Sequence, residues 1–425
     1  MEQTPKANRV HIGFFGRCNA GKSTLINMLT DQPVSLVSEV AGTTTDPVSK
    51  SMEILPLGPV VITDTAGIDD TSELGALRIE KSEEIIKKIN LAVYVLRNDE
   101  APTADDMIWL NTLKQNNVPI ALFINEINAS DSESAHDNDS NGNDTNLNYV
   151  DAYPDLSAIA TVVGSTDFTS NRDRLTLLDL LGGLTPLDVE GEQSLLQGLV
   201  DPGDTIILVC PIDSAAPKGR LILPQVQTIR EILDHKGLAL VCQTEELPTM
   251  LSKLSQKPKL VITDSQAFEV VNALTPADIP LTSFSILMAR FKGKLQDLVT
   301  GVKALNNLKP GARVLISEGC THRRQCDDIG TVKIPMWLKK KGHTDLQLEF
   351  TSGGAFPKDV SGYDLIIHCG ACMLTRREVL RRIDCAVVQG TPIVNYGVLI
   401  ASLHGILERA ISPFMDELDR KGFEC

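Results

Sequence analysis

Short apolar segments alternate with longer amphipathic segments along most of this chain. In the first 182 residues the apolar runs predict strands at 10–15, 60–64, 91–96, 120–125 and 160–164. The segments between them, starting with one at Lys22, have the spacing of helices. Strands that alternate with helices predict a mostly parallel sheet wrapped by helices, so the expected fold class is α/β.

The same rhythm returns in two further units. Apolar runs at 205–210, 238–242 and 259–263 predict the strands of a second unit, and those of a third are predicted at 313–317, 346–350, 364–367 and 392–395. The expected domains are therefore 1–182, 190–272 and 273–425. The second carries no chemical motif, which favours a scaffold or association role. Solenoid repeats are not recognisable.

One stretch interrupts the first domain. Residues 128–148 are rich in Asp, Ser, Asn and Gly and contain almost no apolar side chains. Such a composition cannot bury enough apolar surface to fold, so we expect a surface insertion without packed structure.

Composition narrows the class of protein. At 425 residues the chain fits two or three domains of the usual size, and 42% hydrophobic residues suffice for real cores. Apolar runs stay well short of the roughly 20 residues that span a membrane, and the first strand begins too early for a signal peptide, so a cytoplasmic protein is expected. The net charge of -15 argues against nucleic acid as a general partner. Nine cysteines in such a chain indicate metal or redox chemistry where they cluster.

A phosphate-binding loop follows the first strand. It has the pattern Gly-x4-Gly-Lys-Ser and reads Gly16-Arg17-Cys18-Asn19-Ala20-Gly21-Lys22-Ser23. In such a loop the glycines let backbone N–H groups face the phosphates, while Lys22 offers positive charge and Ser23 ligates magnesium. Thr24, next in the opening helix, belongs to the same predicted nucleotide-binding set.

Two further elements follow the loop in the order a nucleotide switch requires. Asp64-Thr65-Ala66-Gly67 ends the next apolar strand, where Asp64 acts on the magnesium and Gly67 senses the terminal phosphate. Between the two lies a polar loop, Gly42-Thr43-Thr44-Thr45-Asp46, suited to closing over the metal. Three such motifs in order predict a P-loop nucleotide hydrolase.

This order resembles the GTPases of the Era and MnmE type. The resemblance implies that Asn19 helps to hold a potassium ion and that Thr44 binds the magnesium. It also implies a catalytic set of Lys22, Thr44 and Asp70, with Asp70 orienting the attacking water because Ile68 stands where other GTPases have glutamine.

The base-reading element departs from that family. Its Asn-Lys-x-Asp pattern is here Asn125-Glu126-Ile127-Asn128. A carboxylate accepts hydrogen bonds from both guanine N–H groups, whereas the single amide oxygen of Asn128 is a poorer acceptor for the pair. Asn125 and Asn128 are therefore the predicted base contacts, but this element does not by itself establish guanine specificity.

A Cys/His array lies near the other end of the chain. Cys320 follows one predicted strand, and Cys369 and Cys372 follow another, at the carboxyl ends where parallel strands present ligands. His322 and His368 each flank one of these cysteines. Three thiolates with a nearby imidazole fit either tetrahedral zinc or an iron-sulfur cluster.

The combination of both sites resembles the HydF family of FeFe-hydrogenase maturation proteins. The resemblance rests on Cys-x-His followed by His-Cys-x-x-Cys behind an MnmE-like domain. Further matching stretches are Ala216-Pro217-Lys218-Gly219-Arg220, Ile262-Thr263-Asp264-Ser265-Gln266, Leu281-Thr282-Ser283-Phe284-Ser285 and Asn395-Tyr396-Gly397.

The resemblance implies GTPase, dimerisation and iron-sulfur cluster domains. It implies that Cys320, Cys369 and Cys372 ligate a 4Fe-4S cluster whose fourth ligand is exchangeable, with His322 or His368 in that position or around it. It further implies a homodimer that assembles or carries a diiron precursor made with radical-SAM maturation enzymes and passes it to apo-hydrogenase. GTP with magnesium and potassium would switch these contacts.

Two other interpretations stay open. The chain could be a regulatory Era-like GTPase with a structural zinc domain that acts in RNA or ribosome maturation, although its acidic balance counts against this. Alternatively, the nucleotide site has drifted and the metal scaffold alone still functions.

Overall fold

A computed structural model describes residues 9–30, 48–54, 58–65, 85–126, 152–166, 171–184, 194–212, 221–319, 328–353 and 355–419. The chain divides into two compact units, Met1–Gly191 and Glu192–Cys425. Within the described ranges, no helix combines the length and the apolarity needed to cross a membrane.

The first unit contains a six-stranded sheet in the order β2-β3-β1-β4-β5-β6. Only β2 runs antiparallel to its neighbour among these described strands. The strands are β1 (Val10–Phe15), β2 (Val48–Ile54), β3 (Gly58–Asp64), β4 (Leu91–Arg97), β5 (Ile120–Asn125) and β6 (Val162–Thr166). The helices are α1 (Lys22–Thr30), α2 (Ala104–Gln115), α3 (Pro154–Ile159) and α4 (Asn171–Leu184), and residues 85–88 are also helical.

Both faces of this sheet are covered, which explains why its strands read as continuous apolar runs. Successive side chains of a strand point to opposite faces. Phe14 accordingly packs with Leu25 of α1 on one face, whereas Phe15 packs with Leu110 of α2 on the other. The prediction of a parallel α/β domain is confirmed, but the sequence pattern missed the antiparallel edge strand β2.

The second unit contains two four-stranded parallel sheets, in the orders β10-β9-β7-β8 and β12-β11-β13-β14. The first comprises β7 (Thr205–Val209), β8 (Leu238–Cys242), β9 (Leu260–Thr263) and β10 (Leu281–Ser283). The second comprises β11 (Arg313–Glu318), β12 (Gln347–Ser352), β13 (Leu365–His368) and β14 (Ile393–Asn395).

Short helices connect these strands. The α-helices are α5 (Leu223–Asp234), α6 (Leu247–Lys253), α7 (Phe268–Leu274), α8 (Phe284–Lys292), α9 (Leu295–Gly301), α10 (Ile334–Lys340), α11 (Arg376–Val388), α12 (Tyr396–Leu403), α13 (Leu407–Ile411) and α14 (Met415–Asp419). Short 3-10 helices span Ser265–Ala267, Val302–Asn307 and Ser412–Phe414, and a π-helical turn spans Ile329–Lys333.

The expected limit between the second and third domains does not coincide with a gap in this fold. Residue 272 lies inside α7, and the first sheet of the unit takes its strand β10 from beyond that point. The sequence pattern missed β10 because three residues are too few for a periodic signal.

Candidate functional site

The phosphate-binding loop leaves β1 through a glycine that no other residue could replace without strain. Gly16 has a φ of 136°, and a β-carbon placed on it would lie 2.4 Å from the carbonyl oxygen of Val95 in β4. Asn19 and Gly21 also have positive φ values, 60° and 104°, which turn the chain before α1 begins at Lys22. The loop therefore curls tightly at the carboxyl end of β1, as a phosphate cradle requires.

The side chain of Lys22 lies over this loop. Its Nζ donates hydrogen bonds to the carbonyl oxygens of Gly16 at 2.8 Å and Arg17 at 2.7 Å, and the residue is only 8% exposed. Ser23 and Thr24, in the first turn of α1, are exposed. The Lys22 ammonium group thus lies against the backbone of the phosphate-binding loop, and the exposed residues Ser23 and Thr24 lie next to it in the sequence.

Asp64 lies on the neighbouring strand β3, in register with Phe14 of β1. Its Oδ1 is buried and, among the described atoms, accepts no hydrogen bond. Burial raises the pKa of the Asp64 carboxyl, and the Lys22 ammonium opposes that shift. A buried carboxylate oxygen without a donor is suited to a hard cation such as magnesium, so the residues here fit that ion.

Asn125, at the end of β5, contacts the loop directly. Its Nδ2 donates to the carbonyl oxygen of Ala20 at 3.1 Å. This bond joins the phosphate-binding loop to the first residue of the predicted base-reading element. The other predicted residues of this site, Thr44, Gly67, Asp70 and Asn128, lie outside the described part of the chain.

The sequence analysis did not predict that Arg17, within the phosphate-binding loop, forms ion pairs with acidic residues near the start of α2. Its guanidinium contacts Glu100 at 2.7 Å and the fully buried Asp106 at 3.3 Å. Asp106 also forms a capping box with Thr103 at the start of α2 and accepts a hydrogen bond from Tyr94 at 2.8 Å. Burial, followed by the charge of Asp106, raises the pKa of Tyr94 well above its usual range. The Thr-x-x-Asp spacing of Thr103 and Asp106 is typical of a capping box and could have predicted this part of the arrangement.

Two described cysteines of the predicted metal centre, Cys369 and Cys372, follow the carboxyl end of β13, the neighbour of β11 in the last sheet. Cys369 follows β13, and its Sγ accepts hydrogen bonds from the N–H groups of Gly319 at 3.0 Å and Ala371 at 3.3 Å. Burial raises the pKa of Cys369 to about 11, while these two donors act in the opposite direction. A cation would have to displace the thiol proton on binding.

Cys372 lies on the loop that follows. Burial raises the pKa of its thiol, and the charge of Lys292 opposes that effect. The Nζ of Lys292, a residue 2% exposed, donates to the carbonyl oxygens of Cys372 at 3.0 Å and Leu374 at 2.9 Å. Cys320 and His322 lie outside the described residues, and within those described no three His, Cys, Asp or Glu side chains are placed to hold a metal ion.

His368 is already hydrogen bonded through both ring nitrogens. Its Nδ1 donates to the carbonyl oxygen of Cys369 at 2.9 Å, and its Nε2 accepts from Arg382 at 3.2 Å, which assigns the neutral tautomer. Burial and the Arg382 charge lower the pKa of His368 to about 4. Both ring nitrogens of His368 are therefore engaged within the protein. The predicted role of His368 at a metal stays a prediction.

Comparison with known proteins assigns all three parts of the chain. The family model of the 50S ribosome-binding GTPase matches residues 11–126. The hydrogen maturase F dimerization domain matches 195–293, and the hydrogen maturase F tetramerization domain matches 296–413. The α/β fold class and the resemblance to the HydF family expected from sequence are therefore confirmed.

Individual relatives resemble the first domain. The tRNA modification GTPase MnmE of Endomicrobium trichonymphae is 31% identical over 121 residues, covering 28% of this chain and 26% of that protein. GTPase Der of Wolinella succinogenes is 36% identical over 99 residues, covering 23% of this chain and 20% of that protein. This chain thus spans about a quarter of the length of the MnmE proteins that it matches.

Among solved structures, Era of Aquifex aeolicus bound to GDP and AlF4 is 19% identical. That match covers 54% of this chain and 91% of Era, with a TM-score of 0.34, too low to support an argument. The order of the matched domains carries the assignment. With a GTPase domain followed by both hydrogen maturase F domains, the chain belongs to the hydrogen maturase F (HydF) family of GTPases.

Proposed function

We propose that this protein is a GTP-hydrolysing maturation factor for FeFe-hydrogenase. It binds a 4Fe-4S cluster, carries a diiron precursor and delivers that precursor to apo-hydrogenase. The observation that carries the proposal is the pair of N–H groups directed at the Sγ of Cys369, in a chain that has both hydrogen maturase F domains. Backbone donors of this kind stabilise a metal-bound thiolate.

In the nucleotide site, Lys22 would bind the phosphates once they replace the loop carbonyls as partners of its ammonium. Ser23 and Thr44 would hold magnesium together with the buried oxygen of Asp64. Bound magnesium supplies charge neutralisation at the phosphates. Asn19 would hold potassium and Asp70 would orient the attacking water. Asn125 keeps the loop in place through Ala20.

In the cluster site, Cys320, Cys369 and Cys372 would provide three thiolates. Gly319, the residue before Cys320 in the sequence, donates to the Sγ of Cys369, which supports the proposal that Cys320 and Cys369 bind the same cluster. With three thiolates, a bound cluster would keep one exchangeable ligand position, which would suit the reception of a second metal unit. His322 and His368 are the imidazole candidates for that position.

Self-association is part of the proposal. In the domain matched by the hydrogen maturase F dimerization model, β8 is an edge strand of its sheet, and its side chains Leu238 and Val241 are 57% and 43% exposed. An edge strand with exposed apolar side chains supports pairing with a second copy. Nucleotide turnover would then switch the contacts of this dimer with radical-SAM enzymes and apo-hydrogenase.

A second candidate is a regulatory GTPase with a structural zinc site that acts in RNA or ribosome maturation. The family of the first domain, described as a 50S ribosome-binding GTPase, is the observation that favours it. The net charge of -15 opposes binding to RNA. Stoichiometric zinc without sulfide in the purified protein would support this candidate.

The experiment that tests the proposed switch compares Lys22→Ala with Lys309→Ala, which removes an exposed lysine of the second unit. We expect Lys22→Ala to abolish GTP hydrolysis in potassium buffer and to keep wild-type iron content, with slow release of apo-hydrogenase. Lys309→Ala should match wild type in all three measurements. Unchanged partner release and hydrogenase activation by Lys22→Ala would contradict the switching role.

A further inference from the structure

The second unit consists of two halves that repeat the same fold. In each half four parallel strands take the order 2-1-3-4. Gly203 and Gly311, just before the first strand of each half, have φ values of 89° and 81°. Their N–H groups donate to the carbonyl oxygens of Lys236 at 2.9 Å and Asp345 at 2.6 Å, each near the start of the second strand.

The halves end in the same way. Ser283 and Asn395, at the ends of β10 and β14, cap the following helices α8 and α12 through their side-chain oxygens. Ser285 and Gly397, each two residues after its cap, contact each other: the N–H of Gly397 donates to the Oγ of Ser285 at 3.1 Å. Because equivalent positions meet, an approximate two-fold axis passes between α8 and α12.

The same symmetry relates a buried lysine at the end of α8 to a histidine at the end of α12. Lys292 lies nine residues after Ser283, the cap of α8. The equivalent residue, nine positions after the cap Asn395 of α12, is His404. Each side chain reaches the segment after the third strand of the opposite half. Lys292 contacts the carbonyls of Cys372 and Leu374, whereas His404 approaches Glu269 at 3.4 Å. Leu374 and Glu269 both lie six residues beyond their strands.

Only one of the two reciprocal contacts involves a cysteine loop. Charges interact more strongly in the interior of a protein than at its surface, because less water screens them. Lys292 is 2% exposed, and its Nζ lies against the backbone of the loop that carries Cys372. Cluster thiolates would bring negative charge to this loop, close to the buried ammonium.

We propose that Lys292 is a positioning residue of the cluster site. Its ammonium group, supplied by the opposite half of the unit, holds the loop of Cys369 and Cys372 and offsets the negative charge of the bound thiolates. This inference rests on the proposed function. It also places the site across both family domains, because residue 292 falls within the dimerization match 195–293 and the cysteines fall within the tetramerization match 296–413.

The test is a redox titration of the full chain, purified anaerobically and followed by EPR. Reduction adds negative charge to a cluster, so loss of a nearby positive charge makes reduction less favourable. Lys292→Met should shift the reduction equilibrium at least tenfold, which lowers the midpoint potential by about 59 mV or more for one electron. Lys292→Arg should restore the wild-type midpoint. Lys294→Met, which removes a half-exposed lysine paired with Asp384, is the matched control and should change nothing.

Iron and sulfide content provide the second measurement. A folded Lys292→Met chain that retains less cluster than Lys294→Met supports the loop-holding role. If Lys292→Met does not fold, Lys292→Gln keeps a donor for the two carbonyls without the charge, and its midpoint should still fall. If the uncharged variant has the cluster content and the midpoint potential of the wild type, the role inferred for Lys292 is overturned and the proposed function is not. Absence of a cluster from the wild type overturns the proposed function and this inference with it.

Discussion

Substitution of Arg382 by Met tests whether the buried charged residues of α11 stabilise the second unit. Arg382 is 1% exposed, and its Nε donates to Glu378 at 2.7 Å. Its Nη1 donates to His368 at 3.2 Å, and its Nη2 donates to the carbonyl oxygen of Gly353 at 2.6 Å. Met keeps much of the apolar stem but removes all three hydrogen bonds.

The expected loss of unfolding free energy follows from what remains buried. Removing one partner of a buried ion pair costs about 3–5 kcal/mol, because the other charge stays without compensation. Glu378, whose side chain is 8% exposed, retains its hydrogen bonds from Arg381 at 2.7 and 2.9 Å. Partial compensation places the expected loss near the lower limit, about 3 kcal/mol.

Tryptophan fluorescence can isolate this unit. The chain has two tryptophans, Trp109 in the first unit and Trp337 in the second, so a Trp109→Phe background makes denaturant unfolding report on the second unit. The measurement uses cluster-free protein, since bound metal would add its own free energy. Arg381→Met, which removes the outer and 28% exposed partner of Glu378, is the control and should cost about 1 kcal/mol or less. Equal losses in Arg381→Met and Arg382→Met, or a loss under about 1 kcal/mol in the latter, would refute the reasoning.

Two glycine substitutions test close contacts in the two units. Gly16→Ala should abolish binding of a fluorescent GDP analogue, because the added β-carbon would lie 2.4 Å from the carbonyl oxygen of Val95, whereas Gly182→Ala in α4 meets no atom within 4 Å and should bind normally. Gly301→Ala should destabilise the second unit by about 3 kcal/mol or more in the same unfolding assay, since its β-carbon would lie 1.9 Å from the carbonyl oxygen of Ile393. Wild-type binding by Gly16→Ala, or wild-type stability of Gly301→Ala, would contradict these contacts.

The sequence predicted the buried parallel strands well because side chains on both of their faces are apolar. β1 and β5 match their expected limits for this reason. It missed β2, which is polar at alternate positions and lies at an edge, and β10, which has three residues. Continuous apolar runs predict a strand without indicating which strand pairs beside it.

The sequence alone could not predict side-chain contacts between residues that are far apart in the chain. His368 flanks a cysteine, which made it a candidate ligand, but its hydrogen bond to Arg382 fourteen residues later depends on how α11 packs. The contact of Lys292 with the cysteine loop depends on the two-fold relation between the halves. Few identical residues mark that relation, among them Ala289 with Ala401 and Gly293 with Gly405. Such sparse identity, spread over about a hundred residues, shows no pattern to the eye.

The measurement that tests the central claim most directly is metal analysis of anaerobically purified protein, comparing wild type with Cys369→Ala. Iron, sulfide and zinc would be quantified, and EPR spectra of the reduced protein recorded. We expect about four irons with matching sulfide per wild-type chain and a cluster signal that Cys369→Ala abolishes. Stoichiometric zinc without sulfide in the wild type would contradict the cluster scaffold and favour the regulatory GTPase.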